Sequence, residues 1–140
     1  MQSPKFEEVL EIITAKDTRY HRDAYLFMRE ALEFTQHQIR SGKREHAGHV
    51  TGTELLDGIR RYALDQFGPM AITVLSEWGV NRCEDFGELV FLMVEHNLLS
   101  KTENDSREDF QGGYTFEDAF RKPFLPSRAR QAPPPKSVQV

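Results

Sequence analysis

Five histidines and a single cysteine are the side chains of this 140-residue chain best suited to ligate a metal or act as a nucleophile. The histidines are His21, His37, His46, His49 and His96, and the cysteine is Cys83. His46 and His49 form an HxxH pair within a polar, two-glycine stretch, SGKREHAG, from Ser41 to Gly48. A zinc site takes about three or four protein ligands. The spacing supplies only two, so the pair reads as solvated loop histidines. Cys83 and His96 lie 13 residues apart on one expected helix. At 3.6 residues per turn they fall about 220° apart, on nearly opposite sides, and cannot form a dyad within it. Cys83 reads as a small buried residue. No GxSxG, Walker A or GxGxxG string occurs, and Gly42-Lys43 lacks the glycine frame of a phosphate loop.

Adjacent carboxylates recur at Glu7/Glu8, Glu84/Asp85, Glu108/Asp109 and Glu117/Asp118. Acid–base catalysis needs two carboxyl groups whose environments push their pKa values apart. A simpler account covers Glu84/Asp85 and Glu117/Asp118: acidic residues favour the positive end of a helix. The run YHRDAYLFMR from Tyr20 to Arg29 has the composition of a polar pocket wall, but also of a helix with one wet and one buried face. No catalytic, cofactor-binding or metal-binding residue is assigned from the sequence.

The elements that would position these groups are helices. Phe6, Val9, Leu10 and Ile13 are spaced for a short amphipathic helix. Asp17 and Thr18 offer N-cap oxygens for a longer one over Tyr20 to Arg40, striped by Ala24, Phe27, Met28, Ala31, Phe34 and Ile39. Thr51 and Glu54 have capping-box spacing, with Val50 and Leu55 placed as a hydrophobic staple. Leu55, Leu56, Ile59, Tyr62 and Ala63 continue that helix to a stop at Gly68, and Pro69 starts the next. Met70, Ala71, Val74, Leu75 and Trp78 stripe it, which places Trp78 mostly in the core. Phe86, Leu89, Val90, Met93 and Val94 line a further helix, with Asn97 as a left-handed cap. Leu98 to Phe116 reads either as one short β-hairpin or as an irregular loop. Thr115 with Asp118 starts a last short helix carrying Phe116, Ala119 and Phe120, halted before Pro123. The fold class is mainly α: one domain of five or six helices with at most one short hairpin.

Three helices followed by a hairpin also suit a winged-helix-like core, whose third helix would enter a DNA groove. Charge opposes that use. Residues 82–96 carry a net −3 and residues 100–110 a net −2, whereas phosphate neutralisation supplies most non-specific affinity. The candidate contact residues are instead Glu84, Asp85, Arg107, Asp109 and Phe110. In the DSREDF segment, Arg107 is expected to pair with a carboxylate and Phe110 to anchor the segment to the core. An exposed acidic loop is the competing reading.

The whole chain carries −4, but residues 121–140 contribute +5 and no acid, which leaves −9 on the rest. That C-terminal stretch also holds five of the seven prolines, including Pro133-Pro134-Pro135. The expected division is a helical domain over 1–125 and a flexible, basic, proline-rich tail over 126–140. Hydrophobic residues at 39%, ten of them Phe, are too many for a wholly disordered chain. One cysteine excludes an internal disulfide framework and suits a reducing compartment. No apolar run reaches membrane-spanning length, and the first ten residues lack a signal-peptide core.

The strings YHRDAYLFMREAL, HVTGTELLDGIRRYALDQFGPMAITVLSEWGV, CEDFGELVF and KTENDSREDFQGGYTFEDAFRKPF cover most of the span from Phe6 to Pro126. In them the chain resembles a family of small uncharacterised bacterial proteins from the planctomycete and verrucomicrobial lineages. Gly68-Pro69-Met70-Ala71 and Asp105 to Phe110 are the most specific parts. The resemblance implies a bacterial cytosolic protein and carries over no activity, cofactor or catalytic residue. The expected function is therefore a cytoplasmic, non-enzymatic protein-interaction or adaptor domain that binds a protein partner. One alternative is a nucleic-acid-associated regulator touching phosphate through Arg40, Lys43, Arg44 and the tail. The other is a small metal-dependent or hydrolytic enzyme. The sequence is compatible with a homo-oligomer, and no membrane partner is expected.

Overall fold

A computed structural model describes residues 4–41, 50–99 and 107–126. The fold is mainly α. Its main helices are α1 (Pro4–Lys16), α2 (Arg22–Ser41), α3 (Gly52–Phe67), α4 (Ala71–Glu77) and α5 (Cys83–Glu95). Short 3-10 turns at Gly68–Met70, Arg107–Phe110 and Lys122–Phe124 and a π turn at Glu117–Arg121 complete it. Among the described residues there is no strand. The segment from Arg107 onward forms a 3-10 turn and then an irregular stretch through Gly112, so the hairpin alternative is not what these residues adopt. Residues 100–106, its other half, lie outside the described residues.

The caps are largely those the side chains announce. Thr51 accepts the Glu54 amide at 3.1 Å, and the Glu54 carboxylate accepts the Thr51 amide at 3.1 Å. Such a cap stabilises a helix by about 1 kcal/mol. Asn97 takes the left-handed conformation after α5, φ 64°. The Thr115 hydroxyl accepts the Asp118 amide at 3.1 Å.

Two expectations are corrected. The cap of α2 is His21, not Asp17 or Thr18: His21 Nδ1 accepts the Asp23 amide at 3.0 Å, and the His21 carbonyl accepts the Ala24 amide at 2.9 Å. The Asp17 carboxylate is already engaged by the backbone and guanidinium of Arg19, which holds its pKa below the usual carboxylate value. Met70 is 56% exposed rather than part of the buried stripe. The chain winds as a 3-10 turn over Gly68–Met70, so the inward-facing stripe begins at Ala71 and continues through Leu75.

The core gathers Leu10 and Ile13 of α1, Tyr25 and Met28 of α2, Ile59 of α3, Leu75 of α4, Phe86 and Met93 of α5, and Phe120 of the C-terminal turn. Trp78 is half-buried against it. Phe86, Phe116, Phe120 and Tyr114 form a ring cluster that fastens the C-terminal turns. α2 and α3 are the most extensively packed pair of helices. They meet where Thr35 faces Gly58: a Cβ at residue 58 would lie 1.8 Å from Thr35 Oγ1.

Candidate functional site

The N-terminal turn of α5 collects most of the expected contact residues. Asp85 accepts the Tyr20 hydroxyl at 2.7 Å, the Asn81 amide at 2.9 Å and the Arg82 amide at 3.3 Å. Its carboxylate therefore ties the α1–α2 connection and the start of α5 together. Burial, and next the bond to Asp85, raise the Tyr20 pKa above its ordinary value. Glu84 accepts the Gly112 amide at 3.4 Å. Phe110 is only 3% exposed, and its ring rests where Gly87 leaves α5 without a side chain. Asp109 packs against Gly52 at the start of α3. The structure thus brings Glu84, Asp109 and Phe110 together as a joint holding the 107–112 segment to α3 and α5, while Asp85 beside Glu84 faces Tyr20 and the start of α5 instead. The Arg107 side chain lies outside the described residues, as do the Arg40 side chain, Lys43, Arg44, the HxxH pair and residues 127–140.

Cys83 opens α5, buried, with its thiol donating to the Tyr114 carbonyl at 3.3 Å and accepting the Tyr114 amide at 3.5 Å. Burial pushes its pKa up from the ordinary thiol value, which lowers the thiolate fraction at neutral pH. The native thiol is therefore expected to react with a disulfide reagent on the order of 100-fold more slowly than in the unfolded chain, because reaction waits on local opening. Labelling at the unfolded-chain rate in native buffer would contradict this. Among the described residues no cluster of three or more His, Cys, Asp or Glu is placed to hold a metal. None of their helices is long and apolar enough to cross a membrane.

A different face offers binding geometry. Between α2 and α3 runs an open groove of about 390 Å³, lined by Phe34, Gln38, Ile39, Thr53, Asp57 and Arg61 among others. Its floor is set by the Thr35–Gly58 approach, which draws the two helices close. Asp57 forms ion pairs with Arg60 at 2.9 Å and Arg61 at 3.0 Å, a charged rim.

Phe34 belongs both to this groove and to a row of half-buried rings that leads away from it. Phe34 and Tyr62 stand 5.3 Å apart, and Phe67 and Trp78 5.8 Å apart. Buried Phe27 lies behind the row, 5.6–5.8 Å from Tyr62, Phe67 and Trp78. The Tyr62 hydroxyl donates to Glu30 at 3.0 Å. Burial, followed by Glu30, Asp65 and Glu33, pushes the Tyr62 pKa up to about 12.

The sequence stripes include Phe27, Phe34, Tyr62 and Trp78 and leave Phe67 unassigned. Their types and spacing were visible. What was not visible is that Tyr62, Phe67 and Trp78 gather around buried Phe27 while each stays half-buried, with Phe34 against Tyr62. No protein-family model, curated protein or solved structure matches this chain.

Proposed function

We propose that this chain is a non-enzymatic protein-interaction domain that receives an extended segment of a partner on the face built by α2, α3 and α4. The observation that carries the reading is that Phe34 of the α2–α3 groove packs on Tyr62, which with half-buried Phe67 and Trp78 surrounds buried Phe27. Half-buried aromatic rings combine a large apolar surface with low ordering cost, which suits them to contact surfaces. The groove accepts an apolar anchor beside Phe34, while the carboxylates around Tyr62 favour a basic partner. Three groups with raised pKa values elsewhere serve the fold: Tyr20 on Asp85, Cys83 on Tyr114, and Tyr114 through its hydroxyl to the Leu56 carbonyl at 2.7 Å.

Photo-crosslinking side chains placed singly at Gln38, Asp65 and Glu8 test this reading. Gln38 and Asp65 are exposed on the face, and Glu8 is exposed on α1. The expected result is one and the same protein partner captured from both face positions and absent at Glu8, with Phe34→Ser abolishing capture at Gln38. Equal capture at Glu8, or different proteins at the two face positions, would overturn it.

A further inference from the structure

A second cleft lies where α4 meets the C-terminal π turn. Ile72, Thr73, Ser76 and Glu77 fall within about 140° of arc on α4, beside the face that buries Ala71 and Leu75. With Asn81, Phe116 and Arg121 they line an open cavity of about 370 Å³. We propose that this cleft binds a free α-amino acid with an apolar side chain. Glu77 takes its ammonium, Arg121 its carboxylate, and Ile72 and Phe116 its side chain. The cleft shares no lining residue with the α2–α3 groove, so the inference does not depend on the partner reading of that face.

Charge is the first support. One acid and one base line the same cavity without pairing with each other. Arg121 meets Glu117 instead, through Nε at 3.0 Å, and among the described residues Glu77 forms no ion pair. A guanidinium has five N–H donors, which one ion pair does not exhaust, and its fork matches a carboxylate. A ligand carrying both charges suits both groups. A simple cation would meet Arg121, and a simple anion would meet Glu77, each a like-charge contact that discriminates against it.

The second support is the polar inventory. Among the described residues, the side chains of Thr73, Ser76 and Asn81 make no hydrogen bond within the protein. Other threonines are used by the fold: Thr35 bonds its own helix, and Thr51 and Thr115 accept amides at helix starts. The two hydroxyls and the carboxamide around the cleft supply acceptors for an ammonium and donors for a carboxylate. The third support is the apolar wall. Phe116 is 6% exposed and is held by the rings of Phe86 and Phe120 at 5.6 and 5.0 Å. Ile72 beside it is half-buried. An apolar wall with a few converging polar groups, in a volume of about 300–1,000 Å³, is the usual form of a small-molecule site.

Titration of the isotope-labelled full chain with L-leucine, followed by NMR, tests the proposal. A ligand of about nine non-hydrogen atoms, at the efficiency typical of larger molecules, binds with a Kd of about 10 mM or tighter. Amide signals of Thr73, Ser76, Asn81 and Arg121 are expected to shift saturably, while those of Gln38 and Asp57 stay. Leucinamide lacks the carboxylate, N-acetylleucine lacks the ammonium and glycine lacks the side chain. Each should bind about tenfold more weakly than leucine. Glu77→Gln and Arg121→Gln, both at exposed positions, should keep the native melting curve. Glu77→Gln should no longer distinguish leucine from N-acetylleucine, and Arg121→Gln should no longer distinguish leucine from leucinamide.

No saturable shift at five times the expected Kd overturns the proposal, as do shifts centred on Gln38 and Asp57. Leucinamide or N-acetylleucine binding the native chain as tightly as leucine also overturns it, since the cleft would then read one charge only. Glycine binding as tightly removes the role of Ile72 and Phe116. The ligand series on the native chain stands without either variant, and none of these outcomes bears on partner capture at Gln38 and Asp65.

Discussion

Replacing Phe110 by alanine lowers the stability of the chain by about 3–5 kcal/mol, the cost of emptying a large, fully enclosed aromatic site. Phe110 is 3% exposed at the end of the Arg107–Phe110 turn. Its Cβ and Cγ come within 3.0 Å of where a Cβ on Gly87 would stand. The ring therefore lies directly on the backbone of α5, and little can move in to fill its place. Beside it, Asp109 abuts Gly52 where α3 begins, and Gly112 is held by Glu84. With the ring gone, this joint keeps the packing of Asp109 on Gly52 and the exposed hydrogen bond from Gly112 to Glu84. Gln111→Ala, at an exposed neighbour, provides the control and should stay within about 0.5 kcal/mol. Urea denaturation followed by circular dichroism measures both. Similar small changes for the two variants would mean that the 107–112 segment is not fastened through Phe110.

How far the sequence foretold this arrangement depends on the length scale of the interaction. Caps act over three or four residues, so Thr51–Glu54, Asn97 and Thr115–Asp118 were readable. Amphipathic stripes act over one helix, so the buried faces of α1, α2, α3 and α5 were readable too. His21 capping α2 was not, because the competing use of Asp17 depends on where the Arg19 guanidinium folds back. Met70 misled because one 3-10 turn changes the angular register that a stripe assumes. The anchoring of Phe110 was expected, but not its seat, since nothing in DSREDF names Gly87 as the surface beneath it. The candidate face is the least local feature of all. Its four half-buried rings come from α2, α3 and the end of α4, and only the way those helices pack gathers three of them around Phe27.

That packing angle depends on a single missing side chain, and Gly58→Ala should test it severely. In an exposed helix the change from glycine to alanine stabilises by about 1 kcal/mol. Here the added Cβ would meet Thr35 Oγ1 at 1.8 Å, Thr35 Cβ at 2.8 Å and Thr35 Cγ2 at 2.9 Å. Thr35 cannot easily swing aside. It is 3% exposed, and its hydroxyl donates to the Ala31 carbonyl at 2.7 Å within the same helix. The helices must separate or the core must shift, and overpacking of this kind costs about 1–3 kcal/mol and occasionally more. The clash wins over propensity, so the variant should be destabilised by about 1–3 kcal/mol in urea titration despite its better helix former. Thr35→Ala should relieve part of the loss, because it removes the 1.8 Å contact while the 2.8 Å contact remains. A double-mutant cycle should therefore show favourable coupling of about 0.5–3 kcal/mol between the two substitutions. The same separation widens the groove beside Phe34, so partner capture at Gln38 should fall in Gly58→Ala even below its unfolding transition. A Gly58→Ala protein that is more stable than the parent would mean that α2 and α3 do not meet at Thr35, and that the groove's floor lies elsewhere.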